Sequence, residues 1–91
     1  MNLHDIPPSL RQHFEQIPDA LNGKLRVRGA RISVEQVLEL LEAGVSPAEI
    51  IQSFPSLSEQ DVAAVERLAA YCALRMLQIV NAWASRGESL E

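Results

Sequence analysis

Aromatic side chains are scarce in this 91-residue chain: two Phe, one Trp and one Tyr, 4% of the total, with a single cysteine and two histidines. Each shortage excludes something. Cys72 has no second cysteine to pair with inside the chain, so there is no disulfide framework, and no His/Cys/Asp/Glu spacing matches a metal site. The four glycines form no Gly-rich phosphate loop. Trp83 has no aromatic close in sequence with which to build a cage, which makes it an interface anchor rather than a ligand platform. His4 and His13 stand near a terminus, and His13 reads as a surface histidine rather than a base. No catalytic residue, cofactor site or metal site emerges, and an enzyme is not expected.

Long apolar runs are missing too. Leu68 to Ala84 is the most apolar stretch, yet Arg75, Gln78 and Asn81 interrupt it, and it falls short of the ~20 apolar residues that a membrane span needs. Met1 leads into no charged-then-apolar signal region, and a reducing, cytoplasmic setting is the expectation. The length suits one small domain with a modest core that needs support from outside.

The formal charge of −4 is unevenly spread. Up to Val34 five basic residues face three acids, a surplus of +2, whereas beyond it three arginines face nine acids, a deficit of −6. Lys24, Arg26, Arg28 and Arg31 are half of all the basic residues. An acidic chain with one basic segment points to a local contact with anions, phosphate or an acidic protein surface, and not to wholesale coating of nucleic acid.

Three helix starts share one grammar: Ser33 precedes Gln36 by three residues, Ser46 precedes Glu49, and Ser58 precedes Asp61. In each, the serine accepts from an orphan amide while the later side chain reaches back. Asp61 is the shortest of the three, which predicts the weakest box. Helices follow over Val34 to about Ala43, for about two turns from Pro47, and from Glu59 to about Ser85. Val34, Val37, Leu38 and Leu41 form the inward stripe of the first, and Gly44 occupies a left-handed C′ position. Ile50, Ile51 and Phe54 serve the second, which Pro55 ends. Before these, Ser9 to Ile17 reads as a short helix with Leu10, Phe14 and Ile17 on one face, stopped by Pro18. From Lys24 the period is two, with Leu25 and Val27 pointing one way and Lys24, Arg26 and Arg28 the other, before Gly29-Ala30 turns the chain.

The last helix exceeds what such a core needs. Residues Glu59 to Ser85 would span roughly 40 Å at the standard rise, so part of it must project. Val62, Val65, Ala69, Cys72, Met76, Ile79 and Trp83 recur at alternating steps of three and four, a seam of heptad type. The same helix of a second subunit is the expected cover, with Ala69, Cys72, Met76, Ile79 and Trp83 at a homodimer interface. Bending back into a monomer core is the alternative.

Leu21-Asn22-Gly23-Lys24, Val27-Arg28-Gly29-Ala30-Arg31-Ile32-Ser33-Val34, Ala43-Gly44-Val45-Ser46-Pro47, Glu49-Ile50, Phe54-Pro55-Ser56-Leu57-Ser58 and Asp61-Val62 together resemble the prokaryotic domain of unknown function 433 family. The resemblance runs from about Pro18 to Ala73. Leu25 stands where that family usually has proline, and Ala30 where it usually has threonine. It implies an all-α, homeodomain-like helix-turn-helix fold of VapBC-antitoxin type, often encoded beside a PIN-like nuclease and proposed to neutralise it.

The organisation expected is therefore an N-terminal helical extension (1–17), a helix-turn-helix core (18–73) with a short basic β-ribbon, and a dimerising helix end (74–91). The expected role is an antitoxin-like module that binds a toxin nuclease and also operator DNA, with a self-standing DNA-binding regulator or a structural dimer as alternatives. At the start of the last helix the exposed DNA-reading candidates are Glu59, Gln60, Asp61, Ala64, Glu66 and Arg67, but three acids there oppose phosphate. Lys24, Arg26, Arg28 and Arg31 are the better contact set. Their plainer reading is a solvated strand face, with Arg31 bracing the turn or pairing with Glu35.

Overall fold

In the computed structural model, residues 3–16 and 24–85 are described, His4's side chain excepted. A 3-10 turn (Leu3–Asp5) leads into α1 (Pro8–Arg11), β1 (Phe14–Gln16), β2 (Leu25–Val27), α2 (Val34–Glu42), α3 (Pro47–Ser53) and α4 (Glu59–Ser85). The chain is mainly helical, with one two-stranded antiparallel sheet.

The expected helix over Ser9 to Ile17 is corrected. It ends at Arg11, and Phe14–Gln16 is a strand paired with β2 in the register Phe14↔Val27, Glu15↔Arg26 and Gln16↔Leu25. Ile17 lies outside the described residues. Two bonds explain the switch. His13 N–H donates to the Leu10 carbonyl (3.0 Å) and closes the helix, and Arg28 N–H donates to the His13 carbonyl (2.8 Å), which starts the ladder. Phe14 and Val27 then stand opposite each other, both fully buried. A helical spacing of apolar residues over so short a run is also a strand's inward face when a partner strand is present.

After β2 the chain reverses through Gly29, whose φ of +81° is a conformation that L side chains rarely adopt. Ala30 N–H donates to the Val27 carbonyl (3.1 Å), and Val27 N–H donates to that of Ile32 (3.2 Å). This delivers Ser33 to the start of α2. There Gln36 N–H donates to Ser33 Oγ (3.1 Å) while Ser33 N–H donates to Gln36 Oε1 (3.2 Å), a complete capping box. At the other end Gly44 (φ +90°) and Val45 donate to the carbonyls of Leu41 and Leu40, at 3.1 and 3.0 Å, a Schellman termination.

The expected ranking of the boxes is reversed at the other two starts. Asp61 does reach back, accepting from Ser58 N–H at 3.0 Å while its own N–H donates to Ser58 Oγ at 3.1 Å. At Ser46 the hydroxyl accepts from Glu49 N–H (3.2 Å), but the Glu49 carboxylate takes the hydroxyl's proton side (3.3 Å) rather than the backbone amide. A carboxylate one methylene shorter fits the amide, so reach alone does not set box strength.

One core joins all of these elements. Ile6, Leu10 and Phe14 from the N-terminal segment meet Val27 and Ile32, Val37 of α2, Ile50 of α3, and Val62, Val65 and Leu68 of α4. Ile6, Leu10 and Phe14 of the N-terminal segment are therefore part of the core. Only the first four turns of α4 take part, with Tyr71 and Cys72 packed against the core at their end. Its remaining length gives the molecule a longest dimension of 49 Å and a radius of gyration of 15.3 Å, against about 12 Å for a compact chain of this size.

Phe14→Ala empties the centre of this core, and losses of about 3–5 kcal/mol are typical of such changes. Denaturant unfolding should show a loss in that range. A loss under about 1 kcal/mol, as for a surface residue, would contradict the placement of β1.

Candidate functional site

Two surfaces stand out: the strand carrying the basic residues and the outer half of α4. On the strand, most of the basic side chains are already engaged. Arg26 sits opposite Glu15 and its guanidinium donates twice to one carboxylate oxygen, at 2.8 and 2.7 Å, with both side chains about four-fifths buried. Arg28 is exposed but wraps its guanidinium onto the carbonyls of Gln12 (3.0 Å) and Phe14 (3.2 Å). These bonds fasten the edge of β1 without cancelling the charge. Lys24 pairs with Glu35 at 2.9 Å, and that hydrogen bond, with the carboxylate's charge, holds its ammonium above its ordinary value. Both partners are more than half exposed, so the pair adds little stability.

Arg31 is exposed and has no hydrogen bond or ion pair among the described residues. The bracing role considered for it falls to Arg26 and Arg28, and Glu35 is taken by Lys24. The reason is geometric: β1 and the turn before it supply a carboxylate and two carbonyls to Arg26 and Arg28, while Arg31 lies beyond the turn.

The start of α4 also departs from expectation. Ala64 is buried, not exposed, and Asp61 is half-buried. Asp61 Oδ1 meets His13 Nδ1 at 3.2 Å, bridging residues 48 apart in sequence. His13 is thus a half-buried clasp in the turn before β1, its ring also edge-on to Phe14 at 6.4 Å between centroids. Burial pushes the Asp61 carboxyl up, but the bonds from Ser58 and His13 outweigh it and leave the group below its ordinary 3.8. Sequence reasoning missed this contact because nothing local links a turn histidine to a cap carboxylate. Glu59, Gln60, Glu66 and Arg67 are exposed as expected. Among the described residues no group of three or more His, Cys, Asp or Glu side chains could hold a metal ion.

Along α4 the heptad seam changes character. Val62 and Val65 are buried in the core, Ala69 and Cys72 are half-buried, and Met76, Ile79 and Trp83 are 66%, 53% and 41% exposed. Leu74 and Leu77, toward the other side of the helix, are each 54% exposed. Arg75 is held on the flank of the helix by Tyr71, whose hydroxyl accepts at 3.0 Å. Where α4 leaves the body, a groove of about 520 Å³ opens among Leu25, Val34, Leu38, Leu68, Ala69 and Cys72, with Lys24 and Glu35 at its rim. Among the described residues no helix is long and apolar enough to cross a membrane.

The family described as Protein of unknown function (DUF433) matches residues 15–72. The chain belongs to this family. No curated protein and no solved structure matches it. The family segment ends at Cys72, where α4 leaves the body, and it begins after Phe14. Part of the core, Ile6, Leu10 and Phe14, therefore comes from outside the family segment, and so does the whole exposed apolar face.

The lowered Asp61 group has a pH consequence. Because its folded value lies below the unfolded one, its contribution is fully present above 3.8 and is lost as pH falls through the folded value. Asp61→Asn keeps the shape and removes the charge. The parent should be more stable than this variant at neutral pH, and the two denaturation midpoints should converge in strong acid. A difference that does not change with pH would show that the carboxylate's charge contributes nothing.

Proposed function

We propose that this chain is a dimeric binding module of antitoxin type, which occludes a PIN-like nuclease and represses its own operon. In this reading α2, α3 and the first half of α4 form a homeodomain-like helix-turn-helix unit, and the outer half of α4 is the assembly helix. The observation that carries it is the run of exposed large apolar residues, Leu74, Met76, Leu77, Ile79 and Trp83, on a helix whose last contacts with the core are at Tyr71 and Cys72. Met76, Ile79 and Trp83 share one face of the helix while Leu74 and Leu77 lie toward the other side, and exposed apolar surface of that extent marks a protein contact.

Magnitudes support a cover larger than the helix tip alone. Full burial of such a side chain is worth about 1.5–3 kcal/mol. Met76, Ile79 and Trp83, the three on the seam, are already about half covered, so the six of a symmetric pair gain at most about 10 kcal/mol. Association itself costs about 4–15 kcal/mol. The tip alone is near break-even, and a stable dimer needs additional apolar surface.

The reading is tested by expressing the chain with a PIN-like nuclease encoded beside it. Co-elution and loss of nuclease activity are expected. Failure of both with every such neighbour would overturn the antitoxin role. A self-standing DNA-binding regulator is the second reading, favoured by Arg28 and Arg31 lying exposed on either side of Gly29 and Ala30. It requires operator binding by the chain alone.

The arginines separate contact from scaffold. Arg31→Ala should weaken binding to an anionic partner or operator and melt like the parent. Arg26→Ala should lower the melting temperature by several degrees, because a pair of this kind contributes up to about 1 kcal/mol and that shifts a small domain by about 4–8 °C. An Arg31 variant that melts early while binding normally would reverse the assignment.

A further inference from the structure

The groove at the base of the projecting helix and the large side chains at its tip are complementary. Within the stretch from Leu68 to Ala84 the seam is small where it meets the body, at Ala69, Cys72 and Ala73, and large toward its end, at Ile79 and Trp83. A parallel partner would set Trp83 on Trp83 and Ala69 on Ala69, crowding the tip and leaving the groove unfilled. An antiparallel partner centred on Met76 pairs Trp83 with Ala69, Val80 with Cys72 and Ile79 with Ala73. Each large residue then faces a small one, the condition for close packing without voids.

We propose that a second copy of this chain covers the seam in antiparallel orientation, so that its Trp83 enters the groove among Leu25, Val34, Leu38 and Leu68. This rests on the dimeric reading above and specifies its geometry. Each groove is then incomplete without the other copy, and the apolar lining of the groove joins the tip as buried surface. That supplies the area that tip contact alone lacks. The arrangement also places the two helix-turn-helix bodies at opposite ends of the helix pair, with Arg28 and Arg31 of each copy open to partners.

Cys72, the chain's one cysteine, makes a direct test possible. About Met76 the two Cys72 positions are offset along the axis by eight residues, about 12 Å, whereas a disulfide requires Cα atoms within about 7 Å. In a parallel pair the two Cys72 residues meet. The experiment is copper-catalysed oxidation of the full chain at micromolar concentration, beside a Cys72→Ala/Met76→Cys variant, with light scattering on both. The expected result is a dimer in which Cys72 remains uncross-linked while the residue-76 thiols form a covalent dimer. A dimer that cross-links through Cys72, or through neither position, overturns the antiparallel register but leaves the dimer standing. A folded monomer overturns the register and the dimeric reading together.

Discussion

Val62, Val65 and Leu68 close the core against β2, α2 and α3, and because they lie on a single unbroken helix they also fix where residues 73–85 must go. No glycine or proline falls between Glu59 and Ser85 to bend the chain back. The helix therefore carries its apolar seam out of the core in a straight line. The groove, the exposed tip and the elongated shape all follow from that continuity. Shortening the helix at Cys72 would leave a compact domain spanning the family segment. Extending it adds a surface with no cover of its own.

The opposite end of the core depends on a non-local pairing. Phe14 and Val27 face each other across the small sheet, and Glu15–Arg26 and the Arg28 guanidinium fasten it from outside. His13 then ties the same turn to the cap of α4 through Asp61. The N-terminal segment is thus joined to the long helix by apolar burial through Leu10 and by a polar clasp. The basic segment serves the fold first, with Arg26 and Arg28 committed there and Arg31 left for another contact.

Features governed by local rules were legible in the sequence. Serine caps, the Gly44 termination, the Pro47 start and the span of α4 depend on neighbours three or four residues apart, and each stands where its spacing placed it. Features governed by distant partners were not. Phe14 has the spacing of a helix face, and only Leu25–Val27 arriving alongside makes it a strand. Ala64 looked exposed because nothing in sequence shows α1 packing there. The ordering of the capping boxes failed because side-chain length was weighed without the orientation of the carboxylate. Within the candidate surfaces the four basic positions are visible, but their division into paired and unengaged residues depends on β1, whose apolar spacing is that of a helix.

If a second copy covers residues 73–85 of α4, as proposed, their helix depends on that cover. Hydrogen exchange followed across a dilution series tests it most directly. The claim predicts that amides in this stretch are protected at high concentration and lose protection on dilution, while those of Val62 to Leu68 stay protected throughout. Protection of residues 73–85 that is the same at every concentration, in a chain that remains monomeric, would contradict it.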